Sequence, residues 1–297
     1  MRQRRSRRRS RRALPAALIL ISTLGCSHAR RLTVGSKNFT EQIILGEIIA
    51  QQLERRLHAE VVRKLDLGGT LLAQQALRTG EIDLYPEYTG TALTTVLKIS
   101  PSPDPVAVMH TVRTEYRRRW GLEWLDPLGF DNTFAMVVRG PMARAENIAT
   151  LSDAARRRQG WTLGVGYEFL ERPDGFAGLQ RTYHLPLAGA PKSMDLGLLY
   201  RALEQQQVDM AAGSATDGIL SVLDVKVLAD DRHYFPPYQA AVIVRRQSLD
   251  AFPGLRAALE QLSGRISADD MRKLNYQMDG RHQAAAAIAR QWLSGIR

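Results

Sequence analysis

Apolar residues recur along this chain with two alternating periods, and the alternation predicts its elements. Leu32-Thr33-Val34-Gly35 has a period of two and reads as a strand. Directly after it, Leu45, Ile48, Ile49, Leu53 and Leu57 fall on one face of a helix. Asn38 or Thr40 is the cap, with Glu41 three residues after Asn38. Val61-Val62 reads as a second strand, Gly68-Gly69-Thr70 as a turn, and Leu71 to Arg78 as a helix stopped by Gly80. The next strand, carrying Leu84 and Tyr85, is expected to break at Pro86, which cannot donate to a ladder. Gly90 then permits a turn, and Thr91-Ala92-Leu93 begins a helix capped by Thr89 or Thr91. This order predicts a mostly parallel sheet flanked by helices. It would place Tyr88 and Thr91 at the mouth of the sheet, where open α/β folds bind ligands.

The same alternation continues, and restarts after Val138. Residues 100–105 read as a Pro/Ser loop, and Val106 to Trp120 as a helix burying Met109, Val112 and Tyr116. Strands are expected at Trp124-Leu125 and over 133–138, around a turn at Gly129-Phe130-Asp131-Asn132. A polar helix over 148–159 leads to a strand over 162–165 and a long turn-rich connection over 166–175. A helix over 195–205 carries Leu196, Leu199, Tyr200 and Leu203 on one face, followed by strands at 208–212 and 225–228. Residues 230–238 end in paired prolines and read as extended. A strand over 240–244 and helices to Leu293 complete two α/β blocks, without heptads, low-complexity segments or short repeats.

The chain's 297 residues suit one large domain or two ordinary ones. Its net charge of +11 suggests a polyanion partner until the charges are located. Eight arginines (Arg2, Arg4, Arg5, Arg7, Arg8, Arg9, Arg11 and Arg12) precede Cys26, leaving +3 for the rest, so no nucleic acid need be invoked. Those arginines precede an apolar run, Ala13 to Leu24, that is too short to span a membrane, and residues 1–28 read as an export signal. Thr23-Leu24-Gly25-Cys26 resembles a lipoprotein processing site, with Thr23 where a Leu is usual; Cys26 would then carry lipid. Cleavage near Ser27-His28-Ala29, discarding Cys26, is the alternative. Ser10-Arg11-Arg12-Ala13-Leu14 also resembles a twin-arginine motif. Either export route implies a periplasmic or cell-envelope body, and one cysteine leaves no disulfide to brace it.

The six histidines (His28, His58, His110, His184, His233 and His282) are scattered, so neither metal nor other cofactor is expected. There is no phosphate loop, dinucleotide fingerprint or nucleophile elbow, and the chain is not read as an enzyme. What recurs is an aromatic residue at a strand–loop junction. Tyr88, Phe134 and Tyr238 are interleaved with Lys37, Thr91, Asn132, Arg172, Ser214, Thr216 and Asp217. Any one ring is more economically core packing, and any one cation a solvated charge; only their joint placement suggests a cleft. Aromatic faces attract a quaternary ammonium, and Lys37 and Arg172 would suit a carboxylate at the solute's other end.

Three stretches then identify a family. Gly35-Ser36-Lys37-Asn38-Phe39-Thr40-Glu41-Gln42, Tyr85-Pro86-Glu87-Tyr88-Thr89-Gly90-Thr91 and Phe235-Pro236-Pro237-Tyr238 closely resemble substrate-binding proteins of osmoprotectant ABC importers. These are the glycine betaine, carnitine and choline binders of the quaternary-amine uptake family. Residues 168–175, 194–200 and Thr216-Asp217-Gly218 match as well, so the resemblance runs from Leu32 to Leu293.

The resemblance implies a type II periplasmic-binding-protein fold, with two α/β lobes joined by a two-crossing hinge and a ligand cleft between them. Lobe 1 would be 32–131 plus 239–297, and lobe 2 132–238. Tyr88, Phe134 and Tyr238 fall on the family's cage positions, and Lys37, Thr91 and Arg172 on its carboxylate-binding positions. Phe134 stands where a Tyr is common, and Ser214 where cage-complete relatives have a Tyr. A desolvated ring contributes up to ~2 kcal/mol, so losing one weakens a quaternary ammonium about tenfold or more. The implied partners are a small quaternary amine or zwitterion and ABC permease subunits. The protein is expected to be monomeric and to touch the membrane only through a lipid anchor. The rival readings are a binder of another zwitterion, such as an amino acid, and a sensor or enzyme on the same scaffold.

Overall fold

The computed structural model describes residues 31–57 and 59–295. The export signal and Cys26 lie outside the described residues.

Ten strands form two five-stranded sheets. The first holds β1 (Arg31–Gly35), β2 (Glu60–Lys64), β3 (Leu84–Tyr88), β4 (Leu122–Asp131) and β10 (Gln239–Arg245), in the order β2-β1-β3-β10-β4. The second holds β5 (Phe134–Arg139), β6 (Leu163–Val165), β7 (Lys192–Ser193), β8 (Met210–Ser214) and β9 (Val225–Val227), in the order β7-β6-β8-β5-β9. Neither sheet is as parallel as the sequence suggested. In each, one strand runs against both neighbours: β10 against β3 and β4, and β5 against β8 and β9. These are the two strands entered by a crossing from the other sheet. A strand arriving across the gap starts where its neighbours end, so it must run back.

The helices form where the apolar period says they should. The helix α1 (Thr40–Leu57) buries Ile44, Leu45, Ile48, Ile49 and Leu53, and the helix α2 (Thr70–Thr79) buries Ala73, Ala76 and Leu77. Gly80 ends α2 at φ +82°, a left-handed turn that glycine adopts without penalty. Asp104 caps the helix Pro105–Trp120, its Oδ1 accepting from the N–H groups of Val106 and Ala107. Alternation along β10 sorts the first sheet's two faces. Ala240, Val242 and Val244 join the core that includes α1, while Ala241 and Ile243 join the one that includes α2 and the helix Pro105–Trp120.

Several local expectations are corrected. β3 continues through Pro86, paired with Val242. Its pairing with β1 is confined to Leu84, so β3 has a side on which a missing N–H costs no ladder bond. No threonine caps the turn that follows, Thr89–Thr91, which begins straight after Tyr88 and widens into a π-helical turn over Ala92–Val96. The Thr89 hydroxyl is used elsewhere, donating to the Pro237 carbonyl and accepting from the Gln239 N–H. β4 runs through Gly129 to Asp131, where a turn was expected, leaving Asn132-Thr133 as the connector. The helix expected over 148–159 is confined to Leu151–Ala155, closed by a Thr150/Asp153 capping box. Residues 166–175 hold a short helix, Tyr167–Glu171. Leu196 points to solvent, so only Leu199, Tyr200 and Leu203 of its expected face are buried.

Candidate functional site

The reversed strands decide where the candidate side chains meet. β3 and β4 end at Tyr88 and Asp131, where β10 begins, with Ala240 opposite Tyr88 and Gln239 opposite Asp131. β8 ends at Ser214, opposite Phe134 at the start of β5. The parallel strands of both sheets therefore finish, and both crossings pass, along one seam. Such strand ends are where open α/β sheets hold ligands. The crossings are tied together: Asn132 N–H donates to the Tyr238 carbonyl at 3.1 Å, and Tyr238 N–H to Asp131 Oδ2 at 3.0 Å. Burial pushes the Asp131 carboxyl up to about 6.

Four of the seven predicted residues come together around Arg172, which leaves the helix Tyr167–Glu171 in extended conformation. Its Nη1 donates to Thr91 Oγ1 at 3.2 Å, and its Nη2 lies 3.4 Å from the Tyr238 hydroxyl. The guanidinium sits over two rings, 5.0 Å from the centre of Phe134 and 5.5 Å from that of Tyr238. Asp174 holds it there, accepting from Nε at 2.9 Å and from Nη2 at 2.6 Å. Asp174 also accepts from Thr94 Oγ1 at 2.9 Å and from the Tyr238 hydroxyl. Burial alone would raise the Asp174 carboxyl, but Arg172, Tyr238 and Thr94 outweigh it and hold it below the ordinary value. Phe169 and Phe235 pack against Phe134, at 4.8 and 5.7 Å between ring centres. Thr91 and Thr94 follow β3, whereas Arg172 and Asp174 follow β6, so this group bridges the two sheets.

Lys37 and Tyr88 form a second group, on the first-sheet side. Lys37 follows β1, and its ammonium pairs with Glu87 at 2.5 Å, both side chains buried. It also lies 4.6 Å from the centre of the Tyr88 ring. The Tyr88 hydroxyl donates to Glu41 Oε1 at 2.6 Å, and Phe39 stacks on the ring at 6.3 Å. Burial, reinforced by Glu41, raises the Tyr88 phenol well above its ordinary value, so it keeps its proton and donates.

The structure does not bring Ser214 into either group through its side chain. Its backbone N–H donates to Asp217 Oδ2 at 2.8 Å, and Tyr200 donates to the same oxygen at 2.6 Å. Cavities of about 260 and 470 Å³ lie elsewhere, lined by none of the candidate residues. Among the described residues, no three His, Cys, Asp or Glu side chains cluster as metal ligands, and no helix is long and apolar enough to cross a membrane.

Sequence reasoning missed the three acids that organise the seam: Glu41, Glu87 and Asp174. Each lies within or beside a quoted motif, but a carboxylate there reads as a cap or a surface charge until its partner is known. Phe169 and Phe235 were likewise not singled out, because nothing local separates them from core rings.

Comparison with known proteins shows the family. The family model described as the substrate binding domain of ABC-type glycine betaine transport systems matches residues 30–295. The chain is 34% identical over 89% of its length to a Helicobacter pylori (strain G27) protein named ergothioneine transport permease/ergothioneine binding protein EgtU, and spans 47% of that relative's length. It is 33% identical to the glycine-betaine-binding protein of Pseudomonas aeruginosa PAO1, over 95% of this chain and 93% of the relative. Among solved structures, one titled glycine betaine/carnitine/choline ABC transporter superposes with a TM-score of 0.78 at 30% identity, over 89% of this chain and 97% of the other.

Proposed function

The chain belongs to the family of substrate-binding domains of ABC-type glycine betaine transport systems, and from that premise we propose that it captures a solute carrying both a trimethylammonium group and a carboxylate. Proteins of this family are the binding components of quaternary-amine ABC importers, working outside the cytoplasm and handing solute to a permease. In our reading, lobe 1 comprises 32–131 plus 239–297 and lobe 2 132–238, and the ligand sits between them against Lys37, Tyr88, Thr91, Phe134, Arg172, Ser214 and Tyr238. The protein acts as a monomer, without catalysis, and Cys26 carries its lipid anchor.

The observation that carries this reading is that each of the three cage rings already has a cation on its face: Lys37 over Tyr88, and Arg172 over Phe134 and Tyr238. These faces are positioned for positive charge. A zwitterion would offer its carboxylate to Arg172 and Thr91, draw the guanidinium off the rings, and seat its own ammonium there. Closure follows from contacts made to both lobes at once.

Calorimetric titration with glycine betaine, carnitine, choline and ergothioneine tests it. The zwitterions should bind and choline should bind more weakly, because it leaves Arg172 without a carboxylate. Tyr88→Ala and Tyr238→Ala should each weaken binding at least tenfold. Absence of heat with all four solutes would overturn the assignment.

A further inference from the structure

Four segments meet on one carboxylate. Glu41, in the first turn of α1, is buried, and its Oε1 accepts from the Tyr88 hydroxyl at 2.6 Å and from Asn132 Nδ2 at 2.9 Å. Its Oε2 accepts from Asn275 Nδ2 at 3.1 Å and from the Thr216 hydroxyl. Tyr88 ends β3, Asn132 lies in the connector between the sheets, Asn275 is on the helix Ala268–Asp279, and Thr216 follows β8 in the second sheet. The loop after β8 is seated firmly on that helix. Asn275 Nδ2 also donates to the Thr216 carbonyl at 2.8 Å, and Arg272 Nε to the Ala215 carbonyl at 2.9 Å.

None of the described ion pairs includes Glu41. The charged and titratable groups around it are Asp217 beside Thr216, Asp279 and Arg272 on the helix of Asn275, Asp131 beside Asn132, and Lys37 over the Tyr88 ring. A buried acid with no cationic partner is a costly way to fill space, and an apolar side chain would stabilise more. What the carboxylate supplies, and an apolar group could not, is four acceptor positions aimed at four different segments.

We propose that Glu41 is a positioning residue that couples solute capture to the seating of the two lobes. It fixes the Tyr88 ring through the phenol and holds the second lobe through Thr216, so a displacement at either is felt at the other. This rests on the reading of Tyr88 as a ligand-contacting ring. Burial raises the Glu41 carboxyl above its ordinary value here.

A double-mutant cycle tests the coupling. Tyr88→Phe keeps the ring and removes the hydroxyl, and Thr216→Val removes the other hydroxyl. With wild-type Glu41, the two should be non-additive in glycine betaine affinity, the double variant falling at least threefold short of the product of the single losses. In a Glu41→Gln background the same pair should multiply. Multiplication in both backgrounds would overturn the coupling while leaving the solute reading intact. If no solute binds the wild type, that reading fails on its own. Small-angle scattering of the free protein then decides the coupling: Glu41→Ala, with unaltered circular dichroism, should show a larger radius of gyration, and an unchanged radius would overturn it.

Discussion

Replacing Asp174 with asparagine removes one negative charge from the centre of the seam and changes almost nothing in shape. In the wild type this fully buried carboxylate takes two N–H bonds from Arg172, at 2.9 and 2.6 Å, together with the hydroxyls of Thr94 and Tyr238. Asparagine keeps one acceptor oxygen and turns an NH2 group toward donors. Arg172, whose side chain is 10% exposed, has Asp174 as its partner among the described ion pairs. Breaking a buried pair by removing one member costs about 3–5 kcal/mol. The rings of Phe134 and Tyr238 still face the guanidinium and offset about 1 kcal/mol of this.

The net expectation is a loss of about 3 kcal/mol, or a fall in melting temperature of roughly 6–12 °C for a domain of this size. Urea unfolding measures it. Adding Arg172→Met should recover much of the loss, since the orphaned charge goes too. The depressed Asp174 carboxyl contributes stability that is complete above its unfolded value of about 3.8 and is lost as pH falls through its lower folded value, so wild type and variant should converge in acid. A loss under about 1 kcal/mol, or a double variant no better than the single one, would refute the claim that Asp174 exists to hold Arg172.

Burial pushes Asp217 up to about 6, so between that value and 3.8 the folded state holds a proton that the unfolded chain releases. Stability should therefore rise as pH falls from 7 toward 4, and Asp217→Asn should flatten the rise in unfolding curves; an identical profile would count against it. Gly218 has no room for a Cβ, which would lie 2.3 Å from the Tyr276 nitrogen on the helix Ala268–Asp279. Gly218→Ala should therefore cost about 1–3 kcal/mol in the same assay, and a neutral effect would mean that the loop is free to move. Ser214→Tyr would return a ring to the position where cage-complete relatives carry one. It should tighten glycine betaine about tenfold by calorimetry, and no change would place Ser214 outside the cage.

Much of this was readable before any coordinate. The stripe of Leu45, Ile48, Ile49 and Leu53 specifies α1, and that of Met109, Val112 and Tyr116 specifies the helix Pro105–Trp120, because both signals act within one or two turns of chain. The expected break at Pro86 failed for the opposite reason. Whether a proline ends a strand depends on which neighbour its missing N–H would have faced, and that neighbour is supplied by a distant part of the chain. The predicted rings and cations gathered along one seam, but as two groups, and the acids that orient them were invisible.

The sequence by itself determined elements such as β1, α1 and α2, the alternation of strand and helix, and the residues that carry the resemblance, since each is a property of a few consecutive side chains. Tertiary structure alone decided that β5 and β10 run backwards, that Arg172 meets Thr91 from 81 residues away, and that Glu41 joins four segments. Periodicity is local, whereas the pairing of a buried charge depends on which loops the two crossings bring face to face.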